Sequence, residues 1–142
     1  METTWDGLPV ARERPYASCV VVWRAGRPEH EFLVLHRAHF GPDFGGDWAW
    51  TPPSGARQPG ESPDDAAARE LREETGLELP FTRVDSPDPD VALYVAEAPR
   101  EAEIVLDAEH DRHRWLPLEA AAELCLPVTV AAGLRAAATA PA

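Results

Sequence analysis

Apolar residues gather in three short runs that predict β-strands. The first two runs, Ala17–Trp23 and Phe32–His36, are rich in valine and leucine and are separated by a turn-like segment at residues 25–29. A third run, Val91–Ala96, follows a proline-bearing connector at residues 80–89. Runs that stay apolar at successive positions are typical of strands covered on both faces. We therefore predict a sheet in which the first two strands are antiparallel neighbours.

Helical patterns follow the first strands and close the chain. Ser62 and Pro63 form a cap and a proline start, and Gly76 supplies a matching stop. Residues 117–124 have leucine and alanine on one side, and residues 128–138 form a further alanine-rich segment. Strands, loops and helices in this order predict an α/β domain.

The chain has 142 residues, which favours one domain over residues 1–142 with a core of its own. Residues 1–14 are expected to be a loosely held arm, and residues 139–142 a frayed tail. The only cysteines, Cys19 and Cys125, are far apart, so neither a zinc site nor a disulfide framework is indicated. No apolar run is long enough to span a membrane and no signal-peptide core is evident, so we expect a cytoplasmic protein with no membrane partner.

The net charge of -12 argues against nucleic acid as a partner, because no basic patch is available for a phosphate backbone. The glycine-rich segment at residues 39–47 lacks the lysine ending of a phosphate-binding P-loop. A small phosphorylated ligand is compatible with this charge only if metal ions or a few arginines offset it.

Three glutamates share one face of the predicted helix. Glu70, Glu73 and Glu74 stand at i, i+3 and i+4, so their carboxylates project together. Such a stripe is commonly a solvated face stabilised by pairs such as Arg69 with Glu73. The other interpretation is that cations offset the repulsion, either from the protein or from captured metal ions.

The wider pattern resembles the signature of the Nudix hydrolases. Glycine, five residues, glutamate, seven residues, Arg-Glu, an aliphatic residue, any residue, Glu-Glu, any residue, glycine and an aliphatic residue occur here in order. Every defined position is filled: Gly55, Glu61, Arg69, Glu70, Leu71, Glu73, Glu74, Gly76 and Leu77. Many members have Gly-Gly where this chain has Ser54-Gly55.

The resemblance implies a Nudix-type α/β/α sandwich with a mixed sheet, and a pyrophosphohydrolase activity with Mg²⁺, or alternatively Mn²⁺, as cofactor. Glu70 and Glu74 would serve catalysis as well as metal binding, and Arg69 would hold a neighbouring carboxylate. The implied metal ligands are Glu70, Glu73, Glu74, Glu61 as an outer ligand, and the backbone carbonyl of Ser54. Gly55 would permit the tight turn that brings this carbonyl to the metal.

Two further features bear on the substrate, which we expect to be a small nucleotide. Tyr94 lies seventeen positions beyond Leu77, a spacing seen in Nudix hydrolases of diadenosine polyphosphates, and could stack on a base. Glu109 lies where the asymmetric diadenosine tetraphosphate hydrolases place a further metal-site glutamate. Trp50 and Gly55 are the other substrate-binding candidates, although packing beneath the loop is the other interpretation of Trp50.

The preferred substrate is therefore a dinucleoside polyphosphate. A nucleoside triphosphate is the alternative, because similar E-H-x-x-x-R-W-L segments occur in Nudix enzymes that act on triphosphates. A nucleotide-sensing domain without catalysis is a further alternative, although a decayed signature would favour it and this signature is intact. A homodimer is left open by the sequence.

Overall fold

The computed structural model describes residues 9–140, so the predictions for residues 1–8 and 141–142 lie outside the described residues. Its seven strands form one mixed sheet, and its helices lie on both faces. The strands are β1 (Ala17–Arg24), β2 (Glu31–Arg37), β3 (Trp50–Thr51), β4 (Ser54–Ala56), β5 (Thr82–Val84), β6 (Val91–Glu97) and β7 (His110–Pro117). The helices are α1 (Pro63–Thr75), α2 (Leu118–Leu124) and α3 (Val128–Ala138).

The sheet runs in the order β3-β2-β1-β6-β5, with β4 paired to β1 and β7 paired to β2. β1 and β6 are parallel and every other pair is antiparallel, including the predicted pair β1 and β2. Because β1 and β2 lie in the middle of the sheet, both of their faces are covered, which explains their continuous apolar runs.

Two apolar clusters sandwich the sheet. Val20, Val22, Leu33 and Leu35 pack on one face with Leu71 of α1. On the other face, α2 and α3 pack against a cluster that includes Val21, Val34, Leu93, Ala121 and Leu134. Alternate strand residues therefore serve opposite layers, and the predicted α/β/α sandwich with a mixed sheet is confirmed.

The N-terminal segment differs from the predicted loose arm where it is described. Val10 and Ala11 are buried, and the Ala11 N–H donates to the Arg57 carbonyl at 2.8 Å. The Arg57 guanidinium, 4% exposed, donates to the carbonyls of Glu13 and Pro15 at 2.6 and 2.9 Å. A buried arginine with backbone acceptors holds residues 10–15 in place, a partner that composition alone does not reveal.

Candidate active site

Helix α1 positions the glutamates, and its ends form as predicted. The Ser62 hydroxyl accepts from the Asp65 N–H at 3.0 Å, and Gly76 adopts the left-handed conformation with its N–H on the Arg72 carbonyl. Ala66, Ala67 and Leu71 are buried against the sheet. Because Glu70 and Glu74 lie on this same buried side, packing of the helix draws both carboxylates inward.

Arg69 holds the carboxylates around it. Its guanidinium donates to Glu61 at 2.8 and 3.0 Å, to Glu70 at 2.8 Å and to Glu73 at 3.2 Å. A fourth acceptor is the Ala56 carbonyl at 3.1 Å, which ties α1 to β4. The hydrogen bonds from Arg69 lower the pKa of Glu61 and, reciprocally, raise the pKa of Arg69. Arg69 thus offsets the repulsion within the glutamate stripe, as expected for a planar fork beside carboxylates.

Glu74 is the most deeply buried of the glutamates in the stripe, at 2% exposed against 8% for Glu70. The Ser54 N–H donates to its carboxylate at 3.2 Å. Burial, followed by a hydrogen bond with Glu70, raises the pKa of Glu74 well above its usual range. Two buried carboxyl groups in contact favour a proton or a cation between them, because two negative charges at that separation repel strongly.

His110 approaches the same carboxylate from β7. Its Nε2 lies 3.8 Å from Glu74, and its Nδ1 lies 2.9 Å from Asp107. The ring is 7% exposed, so it forms part of the floor of the site. This approach to Glu74 depends on the pairing of β7 with β2, which local composition does not reveal.

Gly55 makes room for Glu70. A Cβ built at Gly55 would lie between 2.3 and 2.6 Å from the Glu70 carboxyl atoms, closer than nonbonded atoms come. Gly55 lies in β4 and is not in the left-handed region, so the predicted tight turn is wrong and its role is close approach. Ser54 likewise has no positive φ, so replacing the glycine common in the family causes no backbone strain.

These residues surround a cavity of about 470 Å³. Ser54, Gly55, Arg69, Glu70, Glu73, Glu74 and Glu109 line it. Glu109 lies just before β7 and lines the same cavity as the glutamates of α1, while its predicted role as a metal ligand stays a prediction. Glu61 does not line the cavity, because both of its carboxylate oxygens bind Arg69. Within residues 9–140, no three acidic, histidine or cysteine side chains form a ready-made metal cage.

Two predicted substrate contacts are wrong. Tyr94 is 1% exposed, packs with the α1-side cluster and donates its hydroxyl to Asp64 at 2.5 Å. Trp50 is 8% exposed and packs against His36, with ring centroids 4.9 Å apart. Neither lines the cavity, so neither ring can stack on a ligand there. Packing beneath the loop, the other interpretation of Trp50, is the one observed.

Arg37 and Phe40 also line the cavity and were not predicted. The position of Arg37 could have been predicted, because Leu33, Leu35 and Arg37 alternate along β2 and therefore share the face that packs against α1. Phe40 stands in the glycine-rich loop and offered no comparable pattern.

The chain is similar to known proteins in both sequence and structure. The family model for the NUDIX domain matches residues 13–135. The chain is 36% identical over 107 residues to the asymmetrical bis(5'-nucleosyl)-tetraphosphatase of Mus musculus, covering 66% of this chain and 69% of that protein. It is 32% identical over 134 residues to an octanoyltransferase of Myxococcus xanthus, covering 85% of this chain but spanning only 36% of the length of that relative.

A solved structure agrees with the sequence relatives. The Ap4A hydrolase of C. elegans, crystallised as a binary complex, superposes with a TM-score of 0.67 at 26% identity, covering 84% of this chain and 91% of that one. In the described part of the chain, no helix combines the length and apolar character that crossing a bilayer requires. The match over residues 13–135, together with the filled signature around the cavity, shows that the chain belongs to the Nudix family of pyrophosphohydrolases.

Proposed function

We propose that the chain hydrolyses a nucleoside diphosphate linked to another group, with a dinucleoside polyphosphate as its preferred substrate. The observation that carries this proposal is the pair of buried carboxyl groups, Glu70 and Glu74, at one cavity with Glu73 and Glu109. The names of the mouse and C. elegans relatives support the choice of substrate.

The donor atoms fit a hard divalent cation. Four carboxylates line the cavity, those of Glu70, Glu73, Glu74 and Glu109, and carboxylate oxygens suit Mg²⁺ or Mn²⁺ better than softer metals. Mg²⁺ usually takes one or two carboxylates and fills its other positions with water and phosphate oxygens, so a closed protein cage is not required. Glu70, Glu73, Glu74, Glu109 and the Ser54 carbonyl are the proposed ligands, with Glu61 acting from outside through Arg69. When bound, the metal would shield phosphate charge and acidify a water.

The chain's own residues would orient the catalytic carboxylates and accept a proton from the attacking water. Arg69 keeps Glu70 and Glu73 in place through its guanidinium, and the Ser54 N–H fixes Glu74. Either Glu70 or Glu74 is placed to accept the proton of the attacking water, because both carboxyl groups lie at the cavity wall. The water attacks phosphorus, and a phosphate or a nucleotide leaves.

This proposal is tested with a panel of nucleotides hydrolysed in ¹⁸O-water, with and without Mg²⁺. Mass spectrometry of both products then shows which phosphorus the water attacked. Dinucleoside tetraphosphate, nucleoside triphosphate and sugar-linked diphosphate should be compared at equal concentration. We expect the dinucleoside polyphosphate to give the highest kcat/KM, with no turnover without the metal. Faster hydrolysis of a triphosphate would favour the alternative substrate, and absence of turnover on the whole panel would favour a sensing domain.

Glu73→Gln separates catalysis from folding. This side chain is half exposed, so the variant should fold normally and lose turnover by roughly 100-fold or more, because charge stabilisation at the reacting phosphate is weakened. Glu78→Gln is the matched control, since Glu78 is exposed and does not line the cavity. Near-normal metal-dependent turnover of Glu73→Gln would contradict the assignment.

A further inference from the structure

The end of β2 and the loop after it contribute a cation and an aromatic ring to the cavity. Arg37 is the last residue of β2, and Phe40 follows three positions later. Both line the same cavity as Glu70 and Glu74, and neither belongs to the glutamate signature. They are therefore candidates for the part of the site that recognises the substrate rather than for the chemical step.

The regular alternation of β2 directs Arg37 to the cavity, on the same side as Leu33 and Leu35. A β-bulge interrupts the pairing of β2 with β7 between His36 and Arg37. The His36 ring packs on the face of Trp50, whereas the Arg37 side chain lines the cavity beside α1. His36 pairs with Arg112 and Arg37 pairs with His110, so the extra residue of the bulge is Asp111 in β7, and β2 keeps its regular alternation. The half-buried Arg37 is thus held by a central strand and not by a flexible terminus.

Arg37 carries a positive charge that no described carboxylate uses. The other arginine of the cavity, Arg69, is occupied by Glu61, Glu70 and Glu73. Arg37, by contrast, makes no ion pair within residues 9–140. A guanidinium without a partner in a cavity with several carboxylates is positioned for an anionic ligand, and a phosphate group matches its planar fork.

Phe40 supplies the aromatic surface of the cavity. It is 69% exposed, although a phenylalanine gains free energy from burial. Among the phenylalanine, tyrosine and tryptophan residues in the described range 9–140, it is the one that lines this cavity. Its ring lies 4.9 Å from Phe44 and 4.5 Å from His39, measured between centroids, so it extends a small aromatic group. A nucleobase would cover the exposed ring.

Hydrogen bonds to backbone carbonyls hold the loop that carries Phe40. The His36 Nε2 lies 2.7 Å from the Phe44 carbonyl and, because a carbonyl only accepts, donates to it. Arg112 donates to the Pro42 carbonyl at 3.1 Å, and the Gly41 N–H donates to the Ala38 carbonyl at 2.9 Å. Phe40 is therefore presented on a loop with fixed points on either side of it, which reduces the ordering cost of binding.

We propose that Arg37 and Phe40 form the nucleotide-recognition half of the site, in which Arg37 binds the polyphosphate chain and Phe40 stacks on the base. This inference rests on the proposed function and assigns its substrate contacts to residues outside the signature. The two residues act on different parts of the same ligand, so their effects separate when one part is removed.

Steady-state kinetics with Mg²⁺ on diadenosine tetraphosphate and on methyl triphosphate, which has no base, tests the assignment. We expect Phe40→Ala to raise KM for the dinucleotide by about tenfold and to leave its kcat unchanged. KM for the base-free substrate should stay as in the wild type, and Phe40→Trp should keep a KM for the dinucleotide near that of the wild type. We expect Arg37→Gln to raise KM for both substrates by about tenfold, with partial rescue by Arg37→Lys. Arg27→Gln and Val128→Ala are matched controls, since both residues are exposed and neither lines the cavity.

Different results would contradict the proposed function and the recognition roles of Arg37 and Phe40. If the wild type hydrolyses nucleotides and both variants keep KM within about twofold, this inference is overturned while the proposed function stands. If the wild type hydrolyses nothing, the proposed function fails, and calorimetric titration with a methylene-bridged dinucleoside tetraphosphate decides the inference. Equal Kd for the wild type, Phe40→Ala and Arg37→Gln would overturn it, and weakened binding in both variants would support it.

Discussion

Gly55 shows how one missing side chain shapes the site at the residue scale. The space that a Cβ would take is filled by the carboxyl group of Glu70, which Arg69 holds from the other side. The carboxyl group therefore has little freedom to move away, and the glycine is required for approach and not for a turn.

Gly55→Ala should consequently lower activity more than stability. The added methyl displaces the end of a flexible side chain and not backbone, so we expect a loss of about 1 kcal/mol in the free energy of unfolding. Turnover should fall by about tenfold or more, because Glu70 leaves its position. Urea unfolding and kcat measure the two effects. Gly45→Ala is the control, since nothing lies within 4 Å of a Cβ there, and unchanged kcat in Gly55→Ala would refute the role.

The acidic residues of the site could be predicted from the sequence, whereas its aromatic residue could not. Glu70 and Glu74 could be predicted because helix periodicity fixes which side chains share a face. Tyr94 and Trp50 could not be assigned, because strands covered on both faces are apolar at every position, and their pattern does not tell which side chain reaches a cavity. Arg37 was predictable in principle from alternation with Leu33 and Leu35, whereas Phe40 depends on loop conformation.

At the scale of elements, Tyr94 joins β6 to the start of α1. Its hydroxyl donates to Asp64 in the first turn of the helix, and its ring lies 5.0 Å from Phe81. Burial and the Asp64 carboxylate raise the pKa of Tyr94, so the hydroxyl remains a donor at neutral pH. The contact helps to fix the helix that carries the glutamates.

Tyr94→Phe tests this structural role. Loss of the hydrogen bond should reduce the free energy of unfolding by about 1 kcal/mol, with KM unchanged, because the ring stays buried away from the cavity. Tyr16→Phe is the control, since the half-buried Tyr16 hydroxyl makes no hydrogen bond to the described residues. A rise in KM at unchanged stability would instead restore Tyr94 as a substrate contact.

The boundaries of elements were predictable where local chemistry marks them. The cap, proline and glycine of α1 fixed its ends, and α3 spans the predicted residues 128–138. The three-residue strands β4 and β5 were missed, since their pairing partners and not their own composition define them. Residues 104–106 are apolar, but no strand starts there. Ile104 and Leu106 pack against the core from an irregular segment, and the Val105 N–H donates to the Thr75 carbonyl.

At the scale of the whole molecule, the net charge of -12 links the proposed binding of a cation to stability. The chain keeps buried carboxyl groups at its cavity although their burial costs free energy, as the raised pKa of Glu74 indicates. Such groups destabilise the metal-free protein, and the proposed dication would stabilise them. We therefore expect the carboxylates that serve the proposed function to lower the free energy of unfolding of the metal-free protein.

Thermal unfolding of the wild type and Glu74→Gln, with and without MgCl₂, should therefore show opposite effects. Without metal, we expect Glu74→Gln to raise the Tm, because a neutral amide cannot repel the buried Glu70 carboxylate and can still accept from the Ser54 N–H. With metal, the wild type should gain about 2.7 kcal/mol at a concentration one hundred times the Kd, and the variant should gain less because it lacks a ligand. NaCl at equal ionic strength controls for screening, and Glu78→Gln should respond like the wild type. Equal Mg²⁺ stabilisation of wild type and Glu74→Gln would exclude Glu74 from the metal site, since a lost ligand must weaken binding.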